Sequence, residues 1–127
     1  MKTIISTQKA PSAIGPYNQA TAFDKLIFTS GQIALNPQSM EIVEGGVQEQ
    51  TKQVMENLKA VLEEAGSSFE NVLKTTCYLS DMDNFVAFNE VYAQYFKGET
   101  APARSTVAVK TLPKNVLVEV DAIAFKN

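Results

Sequence analysis

The chain contains no histidine and a single cysteine, Cys77. The first absence removes the Ser-His and Cys-His nucleophile schemes, and the common zinc sites with them. The second leaves no disulfide framework and no cysteine-based metal centre. Any acid–base chemistry falls to carboxylates, tyrosine, lysine, backbone groups or water. Positive charge is also in short supply: 11 Lys and Arg stand against 14 Asp and Glu, a formal net charge of -3. No basic run exceeds an isolated lysine. The basic face of a general nucleic-acid binder is therefore missing. Long apolar runs are lacking too. The opening MKTIISTQKAPSAIGPY has too short an apolar run for a signal peptide, and no later stretch is long enough to span a bilayer. The expectation is a soluble cytoplasmic protein with no membrane or nucleic-acid partner, built as one domain over residues 1–127.

The patterning that is present alternates strands with helices. Lys2 to Ser6 is β-branched and reads as a strand, and Ala10 to Pro16 as a loop. Tyr17 to Ala22 and Leu26 to Ile33 read as strands, the second interrupted by Gly31. A glycine inside a strand marks a bulge or a close backbone approach. Val47, Thr51, Val54, Leu58, Val61 and Ala65 recur at helical spacing, and Gly66 supplies a stop. Asn71 to Leu79 reads as a strand. Asp81 or Asp83 can cap a second helix running to about Phe96. Arg104 to Val109 and Val116 to Phe125 read as the last two strands, joined by a short loop and expected to pair. The order β-β-β-α-β-α-β-β is an α+β layout. Two amphipathic helices can cover one face of a sheet. Yet Val107 to Val109, and most of Val116 to Phe125, are apolar on both faces. A second apolar face on a small domain predicts a homo-oligomer.

Arg104 opens the first of those last strands, and Glu119 sits within the second. A guanidinium binds a carboxylate through two parallel charged hydrogen bonds. A carboxylate at a subunit boundary has a raised pKa and can orient a water or shuttle a proton. The plainer readings are an exposed or ion-paired arginine and a solvated strand face. Ser30 and Gly31 offer a hydroxyl and an accessible N–H, and Tyr17 can set a ring against a ligand. Asn89 and Tyr92 lie three apart, on one helix face. Each of these is also compatible with a purely structural role. Cys77, inside a strand, reads as a buried inert thiol.

Five ordered segments, IGPYNQA (Ile14 to Ala20), TSGQIALNP (Thr29 to Pro37), KTTCYLSDMDNF (Lys74 to Phe85), PARSTVAV (Pro102 to Val109) and LPKNVLVEVDAIA (Leu112 to Ala124), resemble the Rid family, also called YjgF. Its RidA branch contains reactive-intermediate deaminases. The resemblance covers essentially the whole chain. It implies a chorismate-mutase-like fold, a six-stranded mixed sheet with two helices on one face, assembled as a homotrimeric barrel with clefts between subunits. It implies hydrolysis of 2-imino acids such as 2-iminobutanoate and 2-iminopropanoate to 2-oxo acids and ammonia, with no cofactor and no metal. Arg104 falls on the family's carboxylate-binding arginine and Glu119 on the carboxylate that positions water. Tyr17, Ser30, Gly31 and Asn89 fall on pocket-lining positions. Thr106, whose backbone could bind substrate, stands where many RidA members carry cysteine. Ala101 stands where phenylalanine is common. Two rival readings stay open: a non-catalytic 2-oxo acid binding or regulatory trimer, and an RNA-cleaving translation inhibitor, an activity also ascribed to family members. The net acidity and the lack of histidine weigh against the second.

Overall fold

The computed structural model describes residues 1–127. The longest periodic stretch forms helix α1, Val47–Glu64. Its N-terminus is closed by Glu49, whose Oε1 accepts a hydrogen bond from the Gly46 N–H at 2.8 Å. Gly66, at φ +80°, ends it. The Ser67 N–H returns to the Leu62 carbonyl at 2.8 Å and the Gly66 N–H to that of Glu63 at 3.1 Å, satisfying two terminal carbonyls. The apolar stripe is fully buried at Val54, Met55, Leu58, Val61 and Leu62. Helix α2 spans Phe85–Tyr92, shorter than its apolar pattern predicted. Beyond it the chain goes on in turns, and Phe96 still packs in the core.

The strands are β1 (Thr3–Ile5), β2 (Ala20–Phe23), β3 (Leu26–Thr29), β4 (Val72–Leu79), β5 (Ala103–Ala108) and β6 (Val118–Phe125). They form one mixed six-stranded sheet in the order β1-β2-β3-β6-β4-β5. The α+β expectation, with six strands and two helices, is met. One expected pairing is not. Strands β5 and β6 do not touch; β4 lies between them, parallel to β5 and antiparallel to β6. The cause is α2, which carries the chain from β4 back over the sheet. A strand–helix–strand crossover delivers parallel neighbours, whereas a hairpin cannot. Tyr17 and Asn18 lie ahead of β2 and outside any strand. The interruption at Gly31 is real: β3 stops at Thr29, and pairing resumes as an isolated bridge between Gln32 and Val120.

Both helices pack on one face of the sheet, and the alternation of side chains fixes what that face holds. Val118, Val120, Ala122 and Ala124 of β6 point to the helices and are buried. Cys77 and Leu79 of β4 join them. Leu117, Glu119, Asp121 and Ile123 point the other way and are half-buried. Around Ile123 that open face carries Ile4, Phe23, Leu26, Phe28 and Phe125, each between 36% and 62% exposed. A run of large apolar side chains facing water is costly for a chain of this size.

Candidate functional site

The site is built on the places where regular structure stops. After β3 the chain passes Ser30 and Gly31 before the Gln32–Val120 bridge, whose two hydrogen bonds are 2.9 and 3.2 Å. That bridge presses Gly31 against Glu119 of β6. A β-carbon built on Gly31 would stand 1.9 Å from Glu119 Oε2 and 2.8 Å from Cδ. The glycine leaves room for the carboxylate to lie on its backbone. Tyr17, Ser30, Gly31 and Glu119 together line a cavity of about 460 Å³, with Ile14, Gln19, Lys114 and others completing its wall. The Ser30 hydroxyl donates to the Asn18 carbonyl at 2.5 Å, so its lone pairs are what it offers a ligand.

Burial and the neighbouring Asp121 raise the pKa of Glu119 above the usual carboxylate range. Asp121 is raised too, mainly by burial, but it has partners. Tyr78 donates to its Oδ2 at 3.4 Å, and Lys74 and the Thr76 backbone also favour its charge. Glu119 has no such relief. A half-buried carboxylate of raised pKa, beside a cavity, is suited to proton transfer.

Arg104 is elsewhere. It pairs in register with Thr75, whose side chain is buried on the helix face. Arg104 thus points toward α2, whereas Glu119 points to the open face. Its Nη1 donates to Asn89 Oδ1 at 2.7 Å. Its guanidinium carbon sits 4.7 Å from the Tyr92 ring centroid and 5.5 Å from that of Phe85. One ring edge is fixed in turn, since the Tyr92 hydroxyl and Thr75 Oγ1 share a 2.7 Å hydrogen bond. Burial pushes the Tyr92 hydroxyl up to about 12, so it stays neutral. Asn89 holds the arginine fork from one side and does not line the Glu119 cavity of its own chain. Thr106 lies two residues on, on the same face, and its enclosed Oγ1 has no hydrogen-bond partner. Across from it Cys77 is fully buried, and burial lifts its thiol to about 11. The inert-thiol reading stands.

The seven candidate residues therefore form two groups. Tyr17, Ser30, Gly31 and Glu119 share one cavity. Arg104, Asn89 and Thr106 share the helix-facing side of edge strand β5. One copy of the chain does not bring the groups together. Sequence reasoning missed the buried amide of Gln19. Its Nε2 donates to the carbonyls of Thr7, Ala10 and Pro11, and its Oε1 accepts from the Thr7 N–H. Its own carbonyl accepts from the Ser30 N–H at 2.9 Å. Gln19 so ties the loop ahead of Tyr17 to the Ser30 corner. A lone glutamine before a strand carries no sequence signal for this. The available hint was its place inside the IGPYNQA segment. No helix is long and apolar enough to cross a membrane.

Comparison with known proteins agrees with this architecture. The family model described as Endoribonuclease L-PSP matches residues 7–126. A RutC family protein of Pyrococcus abyssi is 54% identical over 98% of both chains. The mouse 2-iminobutanoate/2-iminopropanoate deaminase is 48% identical over 99% of this chain and 93% of its own. Among solved structures, a Rid-family protein of unknown function from Yersinia pestis superposes with a TM-score of 0.95. It is 46% identical and covers 98% of this chain and 99% of its own. Escherichia coli TdcF, solved with bound serine, gives 0.92 at 44% identity, with coverage of 98% and 99%. With a family model matching residues 7–126 and identities of this size over nearly the full length, the chain belongs to the Rid family, also known as YjgF.

Proposed function

We propose that the protein is a hydrolase that converts 2-imino acids to 2-oxo acids and ammonia. The observation that carries the proposal is the Glu119 cavity. A carboxylate of raised pKa lies against an accessible glycine backbone, in a pocket sized for a small organic acid. The 48% identity to a relative named for this reaction supports the same reading. So does the serine bound by the TdcF protein, an amino acid of the same size class.

Arg104 and Glu119 lie on opposite faces of one sheet, so the reaction requires two copies of the chain. We assign the cleft to the junction of copies in a homotrimer with a chorismate-mutase-like barrel. The open apolar face around Phe28 and Phe125 is the surface that such an assembly covers. In the cleft the substrate carboxylate docks on the fork of Arg104, which Asn89 and the Tyr92 ring hold in one orientation. The substrate enters as the protonated imine. A water near Glu119 attacks the imine carbon; its oxygen bonds to carbon while the C=N π pair moves to nitrogen. Glu119 takes the proton that the water sheds, then returns it to nitrogen. The C–N bond breaks with its electron pair leaving on ammonia, and the new hydroxyl gives its proton to Glu119 as its oxygen pair forms the carbonyl. Glu119 passes that proton to the departing ammonia, which leaves as ammonium. No metal or cofactor enters these steps. Positioning and electrostatics supply most of the gain.

The test is a coupled assay. A threonine dehydratase generates 2-iminobutanoate, semicarbazide traps it, and release of 2-oxobutanoate is followed. Wild-type protein should outrun the trap, and the folded Arg104→Ala variant should not. If wild type fails to outrun it, the deaminase proposal falls. The non-catalytic reading is then decided by titration with 2-oxo acids. The family description also names an endoribonuclease. Against that reading stand a net charge of -3 and a cavity wall with one basic residue. Salt-sensitive RNA binding followed by cleavage would restore it.

A further inference from the structure

We infer that Lys114 sets substrate choice at the Glu119 end of the cleft, favouring 2-imino acids, and their 2-oxo products, whose side chain ends in a second carboxylate. The inference rests on the imino-acid reading above and goes beyond it by naming a substrate class and the residue that selects it.

Three observations carry it. First, the cavity is larger than the smallest substrates need. It measures about 460 Å³. A four-carbon imino acid has seven non-hydrogen atoms, about 200 Å³ even at the spacing of liquid water. In one copy more than half the space is left over, so there is room for a longer side chain as well as for the residues that the second copy brings to the cleft. Second, of the thirteen residues that line the cavity, only Glu119 and Lys114 are charged, so Lys114 is its one cation. With Arg104 assigned to the α-carboxylate, Lys114 is the cation left for another anionic group. In a chain of net charge -3, a local cation is what makes a doubly anionic ligand tolerable.

Third, the backbone that carries Lys114 is in a conformation that side chains avoid. Lys114 has φ 56° and ψ 20°, and Asn115 follows at φ 56°. Two successive non-glycine residues in the left-handed region are unusual, and such strain collects at functional sites. The turn is held from both ends. The Asn115 N–H donates to the Leu112 carbonyl at 2.9 Å and the Val116 N–H to that of Pro113 at 3.3 Å. Glycine would occupy position 114 without strain. The turn thus sets a cationic, exposed residue among those lining the cavity, against the backbone's preference.

The test is calorimetric titration of the assembled protein with 2-oxobutanoate, 2-oxohexanoate and 2-oxoadipate. The last two share a six-carbon chain and differ in a terminal methyl or carboxylate, so length and charge are separated. Wild type should bind 2-oxoadipate roughly fivefold more tightly than 2-oxohexanoate at low salt, the effect of one partly solvated ion pair. The preference should shrink as salt is raised. Lys114→Gly should abolish it with no loss of thermal stability, because glycine relieves the turn. Lys114→Arg should retain it. Equal binding of the two six-carbon acids, or a preference that survives in Lys114→Gly, overturns the inference. 2-Oxobutanoate separates the two levels of failure. If it binds and the carboxylate preference is absent, only the role of Lys114 falls. If none of the three acids binds, the imino-acid reading falls and this inference with it.

Discussion

In a Gly31→Ala variant the added methyl would stand 1.9 Å from Glu119 Oε2, 2.8 Å from Cδ and 3.0 Å from Cγ. Ordinary contact begins near 3.4 Å, so the carboxylate oxygen must retreat by about 1.5 Å. What has to move is the end of a flexible side chain, not backbone. Gly31 does not have a positive φ, so alanine is not strained there. The fold should therefore survive, with an unfolding temperature within a few degrees of wild type. Activity should not. A misplacement of about 1 Å in a catalytic group can cost about a hundredfold in rate, and the displacement here is larger. The loss should appear in kcat, because Arg104, the proposed anchor of the substrate carboxylate, is untouched. The assay is the semicarbazide competition, run beside a thermal melt. Full activity in a folded Gly31→Ala protein would refute the role given to Glu119. A large drop in unfolding temperature would refute the claim that this contact is catalytic and not structural.

Arg104→Lys should lower kcat/KM by roughly 10- to 100-fold. A lysine cannot hold Asn89, stack on Tyr92 and fork onto a carboxylate at once, and each lost charged hydrogen bond costs about 1.5–3 kcal/mol. Near-wild-type turnover would remove Arg104 from its assigned place. Glu119→Gln should cut turnover by at least about 100-fold, while raising the unfolding temperature at pH 7. The folded pKa of Glu119 lies above its unfolded value, so the stability of the wild type falls as pH rises through that window. The advantage of the variant should therefore vanish below the ordinary glutamate pKa of 4.5; melts at pH 4 and pH 8 that show the same advantage would contradict this. With the proposed assembly formed through the open face, wild type should sediment as an oligomer and Phe28→Asp as a monomer; a monomeric wild type or an unchanged oligomer would show that this face is not the junction.

How legible these features were in the sequence follows from whether the governing interaction is local. Helix α1 could be read because one stripe from Val47 to Ala65 and one stop at Gly66 act within the helix itself. The break at Gly31 was legible for a similar reason, although its purpose, clearance for Glu119, depends on a strand nearly ninety positions away. The pairing of the last two strands misled. Consecutive strands are usually neighbours, and the short connection between Ala108 and Val118 invited a hairpin. The contrary signal was present: β4, α2 and β5 read as strand, helix, strand, a unit that makes its two strands parallel neighbours. Nothing local revealed that Arg104 and Glu119 face opposite ways. That depends on register with β4, where Arg104 meets Thr75 and Glu119 meets Tyr78. Gln19 was out of reach, because its four hydrogen bonds go to main-chain groups without sequence identity.

The open face holds two carboxylates, and the structure distinguishes them. Glu119 and Asp121 lie two apart on β6, both half-buried, both raised in pKa by burial. The fold spends its stabilising contacts on Asp121, through Tyr78, Lys74 and the Thr76 backbone. Those contacts favour its charged form and occupy its oxygens. Glu119 is given only conditions that resist ionisation: burial, and a second negative charge nearby. A group kept for stability alone would be partnered or replaced, since an unpartnered carboxylate on a half-buried face lowers stability. Glu119 is instead left with its oxygen over Gly31 and its proton affinity raised, beside a cavity open to solvent. Of the two, Asp121 has the partners of a structural carboxylate, and Glu119 is the one that fits the proton-exchanging role proposed for it. This asymmetry supports putting the base of the proposed reaction at Glu119, and it is why Glu119→Gln should gain stability and lose activity.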